Sequence, residues 1–285
     1  MIVYLNKEYI DEDKAFISPN DRGFLFADGL YEVVQSYNGS LFRAEDHFQR
    51  LAKGVDFLKI DRSEIANFQT ILEELILRNS FTNKNAGVYY QITRGAASRT
   101  HSFPDPKPNP TVYAFIKTMK NPLVEGINNS AILVPDQRWA RCDMKTIGLI
   151  PNILSNQKAK EQNCIEALFV RDGMIMEGSC TNFFAVIDEK VITAPATNYI
   201  LSGITRKAVI ELCKKNQIPI IERAIFLDEI KCFDEAFICG TITEIAPIAK
   251  IDNHKIGDKS PGPITKALQQ AFKKLVEKEI QNKKN

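Results

Sequence analysis

Four short segments of the chain carry residues whose types and spacing could do chemistry. Lys145 lies in RWARCDMKTIGL, with Trp139, Met144, Ile147 and Leu149 near it in sequence and no acid immediately after it. A lysine desolvated by such neighbours loses affinity for its proton and becomes an amine nucleophile. Left in water it is only a surface charge, the commoner state of the residue. Glu177, in MEGSCTNFF, stands between two strand-like runs. A carboxylate fixed there can pair with a heteroaromatic nitrogen and keep it protonated, or it is simply a turn glutamate. In Leu201-Ser202-Gly203-Ile204-Thr205-Arg206 a glycine precedes a helix start with a hydroxyl in its first turn. Backbone N–H groups and the helix dipole at such an end attract a phosphate, and Gly203 lets the backbone approach closely; an ordinary capping turn reads the same way. Gly240-Thr241 in FICGTITEI offers a second anion-holding edge under the same alternatives. Arg99-Thr100-His101 falls in a long loop, where the pair makes either a carboxylate clamp or a solvated charge.

Periodicity and turn chemistry supply the elements that must position these residues. Asn6-Lys7 and Asn38-Gly39 each separate two β-rich runs, Ile2 to Leu5 from Glu8 to Ile10 and Glu32 to Tyr37 from Leu41 to Arg43, and so predict hairpins. Phe48, Leu51, Val55 and Leu58 recur at helical spacing and predict a helix from Ala44 to Lys59. A second helix is predicted from Ser63 to Asn79 with Ser63 as N-cap. Gly87 to Thr93 and Thr111 to Lys117 read as strands joined by the loop RGAASRTHSFPDPKPNP. Lys120 to Asn128, with its proline and glycine, reads as a linker. Beyond it come a strand over Ala131 to Val134, a helix over Pro151 to Asn163 and a hairpin about Asp172-Gly173. A strand pair about Asp188-Glu189-Lys190 follows, then a helix from Ile204 to Asn216 burying Ala208, Ile210, Leu212 and Cys213. Strands over Ile218 to Ile221, Glu235 to Cys239 and Ala246 to Ile251 and a closing helix from Ile264 to Glu279 complete the set. Hairpins outnumber crossover helices, so the expected class is α+β: a smaller domain over 1–119, a linker over 120–128, and a larger domain over 129–285 that carries Lys145.

Composition narrows the function. The 285 residues hold 37 Lys+Arg against 35 Asp+Glu, a formal charge of +2, with 44% hydrophobic residues. That is an ordinary globular mixture, which excludes disorder and coiled coil, and the weak mixed field disfavours nucleic acid. MIVYLNKEYIDEDK lacks a secretory signal's apolar core and no window approaches the roughly 20 apolar residues of a membrane span, so a cytoplasmic location is expected. The six cysteines form no C-x-x-C pair and the three histidines, His47, His101 and His254, lack metal-ligand spacing, so neither disulfides nor a metal is expected.

A phosphate, a protonated ring, an amine nucleophile and a carboxylate-bearing substrate together point to pyridoxal 5'-phosphate. The motifs DRGFLFADGLYEVVQSYNGSLFRAEDHFQRL, QITRGAASRTHSFP, RWARCDMK, EGSCTNFF, LSGITRKAV, GTITEIAPI and IGDKSPGPIT, spread over nearly the whole chain, resemble those of the fold-type IV pyridoxal-phosphate aminotransferases, most of all the D-amino-acid group. The resemblance implies two antiparallel-rich α+β domains with the cofactor at their interface, in a homodimer with sites at the subunit interface. It also implies that Lys145 forms a Schiff base with the cofactor aldehyde and that Glu177 faces the pyridine nitrogen. Arg50, with Gly203, Ile204, Thr205 and Thr241, would hold the phosphate, and Leu201 would pack on the ring. Tyr31, with Arg99 and His101 reaching in from the neighbouring subunit, would receive the substrate carboxylate. Cys180 stands where the D-amino-acid group tends to carry a hydroxyl, and Gln35 replaces a basic residue; both bear on substrate range. The expected reaction is a ping-pong transamination of D-alanine or a similar donor with 2-oxoglutarate. Relatives of the same fold leave aminodeoxychorismate lyase, a branched-chain L-amino-acid aminotransferase and a non-catalytic dimeric binding protein as alternatives.

Overall fold

The structure is a computed structural model that describes residues 1–119 and 129–284. The linker expected at 120–128 lies outside the described residues. By their contacts the residues form two compact units. The first comprises Met1–Lys120, Met144–Gly148 and Glu279–Asn285, the second Asn121–Asp143 and Leu149–Lys278. Lys145, expected with the residues after the linker, thus belongs to the first unit. The physical reason is backbone pairing: Tyr31 N–H donates to the Lys145 carbonyl at 3.0 Å and Ile147 N–H to the Gly29 carbonyl at 3.2 Å.

The first unit is built on strands β1 (Ile2–Leu5), β2 (Glu8–Asp11), β3 (Gly29–Tyr37), β4 (Ser40–Leu41), β5 (Ala86–Thr93) and β6 (Thr111–Thr118). They form one antiparallel sheet in the order β2-β1-β6-β5-β3-β4. The β3–β4 turn is tight because Asn38 and Gly39 both take positive φ, 48° and 80°. Gly39 is required there, since a Cβ would stand 2.3 Å from the Thr82 carbonyl oxygen. Three helices belong to this unit, α1 (Arg22–Phe26), α2 (Ala44–Phe57) and α3 (Phe68–Arg78). Leu51 and Val55 of α2 and Phe68, Leu72 and Leu75 of α3 share one buried core with Leu30, Val34, Val88 and Ile92 of the sheet. The second predicted helix is shorter than expected. Asp61, not Ser63, caps a short 3-10 turn over Arg62–Ile65 by accepting from Ser63 N–H at 2.9 Å, and α3 starts only after Asn67.

The second unit contains β7 (Ser130–Pro135), α4 (Ile150–Glu161), β8 (Glu166–Arg171), β9 (Met174–Gly178), β10 (Asn182–Ile187), β11 (Lys190–Thr193) and α5 (Ile204–Lys215). It continues with β12 (Ile220–Glu222), β13 (Glu235–Gly240), β14 (Glu244–Ile248), β15 (Lys250–Ile251), β16 (His254–Lys255) and most of α6 (Pro263–Lys284). Two five-stranded sheets result, β12-β11-β10-β13-β14 and β16-β15-β7-β8-β9, which share a core of Leu168, Ile175, Phe183, Ala185, Ile238 and Ile248. The run expected as one strand over Ala246 to Ile251 is divided between them, β14 in the first sheet and β15 in the second. Lys190 pairs with Ile187, so the β10–β11 turn is two residues, Asp188 and Glu189, instead of three. In α5 the buried face includes Val209, while Ile210 is only half-buried. The class is α+β as expected. Among the described residues no helix is long and apolar enough to cross a membrane.

Candidate active site

In the first unit the chemistry gathers around the start of β3. Alternation along the strand sends Leu30, Glu32 and Val34 toward α2 and α3, and Tyr31, Val33 and Gln35 to the opposite face. The segment Met144–Gly148 runs beside Gly29–Tyr31, with Leu30 and Thr146 bridged, and brings the Lys145 Nζ to 4.3 Å from the centroid of the Tyr31 ring. Lys145 is half-buried. Among the described residues its ammonium has no carboxylate partner. Trp139, expected to help desolvate it, is 50% exposed, and the ring that covers Lys145 is Tyr31.

Behind Tyr31, Glu32 is fully buried and holds two residues of α2. Arg50 donates to it twice, Nε to Oε1 at 2.7 Å and Nη2 to Oε2 at 2.8 Å, and His47 Nδ1 lies 2.7 Å from Oε2. An ionised carboxylate only accepts, so Nδ1 carries the proton of that bond. Burial works to raise the Glu32 pKa, but the Arg50 charge and the hydrogen bonds of Arg50 and His47 overturn it and hold the carboxyl well below its ordinary range. Burial also lowers the His47 pKa, against the pull of Glu32, and favours the neutral imidazole. Because the folded Glu32 titrates below its ordinary value of 4.5, its stabilisation is complete above that pH and is lost as pH falls toward the lower folded value. Glu32→Gln is expected to cost about 3–5 kcal/mol of stability at neutral pH. In urea titrations the deficit relative to wild type should shrink on acidification; a deficit that does not change with pH would contradict the assignment.

Arg99, Thr100 and His101 are exposed, in the loop after β5. The Arg99 guanidinium lies 4.9 Å from the Phe26 ring centroid, and the His101 ring packs against the same phenyl group at 5.7 Å. Gln35 is buried, and its Oε1 makes no hydrogen bond among the described residues.

In the second unit a separate cluster forms where β9 passes through Ser179–Thr181 into β10. Glu177 is 5% exposed. It accepts from Arg138 Nη1, from Asn182 Nδ2 at 3.0 Å and from the Leu201 N–H at 3.0 Å to Oε2 and 3.2 Å to Oε1. Arg138 is itself fixed by Asp136, with Nε to Oδ1 at 2.9 Å and Nη2 to Oδ2 at 2.9 Å, and lies 4.2 Å from the Phe169 ring centroid. Burial alone would weaken the Arg138 proton, but Asp136 and Glu177 raise its pKa and keep the guanidinium charged. Asn182 ties Glu177 to the next element, since its Nδ2 also donates to the Leu201 carbonyl at 2.9 Å. Leu201 leads to Gly203, the N-cap of α5, which has no side chain of its own to cap the first turn. A Cβ at Gly203 would fall 2.0 Å from Asn182 Oδ1, so glycine is what permits this approach. Ile204 and Thr205 follow, both buried.

The same end of β10 lies beside the end of β13: Asn182 pairs with Cys239, and a Cβ at Gly240 would stand 3.5 Å from both the Cys180 carbonyl oxygen and Thr181 Cγ2. Thr241 comes next and is half-buried. Beneath the loop, Glu166 is completely buried and accepts from Ser179 N–H at 2.9 Å, Thr181 Oγ1 at 2.7 Å and the exposed Cys180 Sγ at 3.5 Å. The structure therefore groups Lys145 with Tyr31, Arg50 with Glu32, Arg99 with His101, and Glu177 with Leu201. It places Gly203, Ile204, Thr205, Cys180 and Thr241 at the adjoining strand and helix ends. Sequence reasoning missed Glu32, Arg138, Asn182 and Glu166, whose buried side chains are hydrogen-bonded to an expected residue or its loop, and His47, which is bonded to Glu32.

Comparison with known proteins decides the family: residues 29–251 match the class IV amino-transferases. The chain belongs to this family. Among curated relatives of this class IV aminotransferase, the D-alanine aminotransferase of Staphylococcus haemolyticus is 37% identical over 279 residues, covering 96% of this chain and 98% of that protein. The D-alanine aminotransferase of Bacillus licheniformis is also 37% identical, over 278 residues and 97% of each chain. The fold is that of the branched-chain amino acid aminotransferase of Escherichia coli, with a TM-score of 0.87 at 24% identity over 96% of this chain and 94% of that one.

Proposed function

We propose that the chain transaminates D-amino acids such as D-alanine with 2-oxoglutarate, giving a 2-oxo acid and D-glutamate, with pyridoxal 5'-phosphate as cofactor. The observation that carries the reading is a lysine without a carboxylate partner among the described residues, covered by Tyr31, in a chain that also holds Glu177 as a buried carboxylate between Arg138, Asn182 and Leu201. The donor set fits a phosphorylated pyridine: a helix start with Gly203 as its N-cap suits the phosphate, and the buried carboxylate suits the ring nitrogen.

When bound, the cofactor supplies an aldehyde that takes up amino groups and a ring that withdraws electrons from Cα. Lys145 Nζ is the group that would hold the aldehyde and, as a free amine, the base that would take the proton from the substrate Cα and the acid that would return it. Glu177 keeps a proton on the ring nitrogen, with Arg138 holding its carboxylate in place. Arg50, Gly203, Ile204, Thr205 and Thr241 would hold the phosphate, and Leu201 would pack on the ring. Tyr31, with Arg99 and His101 from the neighbouring subunit of a homodimer, receives the α-carboxylate, and Cys180 and Gln35 shape the side-chain pocket. The proposed location is the cytoplasm, and the substrates are small amino and 2-oxo acids.

The structural likeness to branched-chain enzymes favours, as a second reading, a preference for L-amino-acid donors. A lyase would need no acceptor. Purified protein supplied with pyridoxal phosphate and D-alanine is expected to release pyruvate continuously with 2-oxoglutarate and to stop after a single turnover without it. Sustained pyruvate release from aminodeoxychorismate without any acceptor would overturn the transaminase reading in favour of the lyase.

A further inference from the structure

Helix α1 is a single turn, and it presents Arg22 and Phe26, four positions apart, on one side. Asp21 fixes its start by accepting from Gly23 N–H at 2.7 Å, and Ala27 ends it in the left-handed conformation at φ 55°. Both side chains go to the Arg99-Thr100-His101 loop. Arg22 is 4% exposed; its Nη1 donates to the Thr100 carbonyl at 2.6 Å and its Nε to Asp28 Oδ2 at 2.9 Å. Phe26 carries the residues on either side of Thr100, with the Arg99 guanidinium 4.9 Å from its centroid and the His101 ring at 5.7 Å, tilted by 60°. The base of the loop is closed by Arg94, which donates to Asp28 at 2.7 and 3.0 Å and lies 3.7 Å from the Phe103 ring centroid. Burial works to raise the Asp28 pKa, but Arg94 and Arg22 reverse it and keep the shared carboxylate ionised.

We infer that Arg22 and Phe26 are positioning residues for carboxylate recognition: Phe26 sets the orientation of Arg99 and His101, and Arg22 fixes the backbone between them. The inference rests on the reading that this pair receives the α-carboxylate. Two long side chains on an exposed loop would otherwise lose their rotamer freedom on binding each substrate. Held against one aromatic ring, they meet the carboxylate with much of that ordering already done. The role gives a use to the arginine and second phenylalanine of the DRGFLF motif, which contact Thr100 and the Arg99 and His101 side chains.

The test compares Phe26→Leu, Phe26→Tyr and Arg99→Ala in the pyridoxal-phosphate-loaded enzyme. Phe26→Leu removes the π face and is expected to raise KM for D-alanine and for 2-oxoglutarate about five- to tenfold, with kcat and the cofactor absorption band unchanged. Phe26→Tyr keeps the face and should retain wild-type KM. Arg99→Ala should raise both KM values further, and adding Phe26→Leu to it should produce a clearly less than additive rise, because only the His101 contact with Phe26 is then left to lose. Unchanged KM values in Arg99→Ala would remove the clamp reading itself. A raised KM in Arg99→Ala with none in Phe26→Leu, or full additivity of the two, would overturn the positioning role alone. If the leucine variant does not fold, Phe26→Met carries the same expectations.

Discussion

Lys145→Ala is expected to lower kcat by at least about four orders of magnitude and to abolish the protein-bound absorption band of added pyridoxal phosphate. The size follows from the two roles proposed for Lys145, as the amine that would hold the aldehyde and as the base and acid that would move the Cα proton. No neighbour can replace it: the group that covers it is the Tyr31 ring, and the nearby His47 is occupied by Glu32. Fold should persist, since the contacts that fix the Met144–Gly148 segment to β3 are backbone hydrogen bonds, Tyr31 N–H to the Lys145 carbonyl at 3.0 Å among them. Absorption spectra and single-turnover kinetics on the purified variant check this. A fully active Lys145→Ala enzyme would falsify the assignment.

Glu177→Gln is expected to separate the two measurements. A glutamine keeps the shape and, with its oxygen at the Oε2 position, can still accept from Asn182 and Leu201, but its amide nitrogen then replaces the oxygen that accepted from Arg138 and it has no charge with which to hold a proton on the ring nitrogen. Turnover should fall by about 10²–10³, the scale on which a preorganised electrostatic partner contributes. The protein-bound band should survive, because Lys145 is untouched. Arg138 loses one anionic partner but keeps Asp136 at 2.9 Å, so the buried guanidinium is not stranded and the variant should remain folded. Loss of the band together with turnover in this variant would point to collapse of the Arg138–Asn182–Leu201 setting instead of loss of the ring proton.

What could be read from the residues was local. Asn38-Gly39 needed only the positive φ of two adjacent positions, and the α2 stripe needed only helical spacing. Lys145 and Glu177 were legible as candidates because each had an unusual immediate context. What the sequence did not disclose depended on which residues meet across long separations. Arg138 reaches Glu177 because the chain after β7 and the end of β9 come together, and no periodicity encodes that. Glu32 and His47 were visible as letters, but their bond follows from the alternation of β3 toward α2 combined with His47 and Arg50 standing three positions apart on one helix face. Lys145 joined the first unit through backbone hydrogen bonds to β3, which side-chain patterns do not announce. The run from Ala246 to Ile251 looked continuous because apolar residues stand on both sides of Lys250; its division between two sheets is a matter of tertiary pairing. Trp139 misled for the opposite reason, since nearness in sequence to Lys145 did not make it the residue that covers the amine.

The hand of the reaction is read directly from the handedness of the glutamate formed. Wild-type protein with pyridoxal phosphate and 2-oxoglutarate would be given D-alanine, L-alanine and L-leucine in separate reactions, and the glutamate resolved by chiral chromatography. D-glutamate should form from D-alanine, with negligible product from the L-donors. L-glutamate formed from L-leucine, with D-alanine inert, would contradict this expectation.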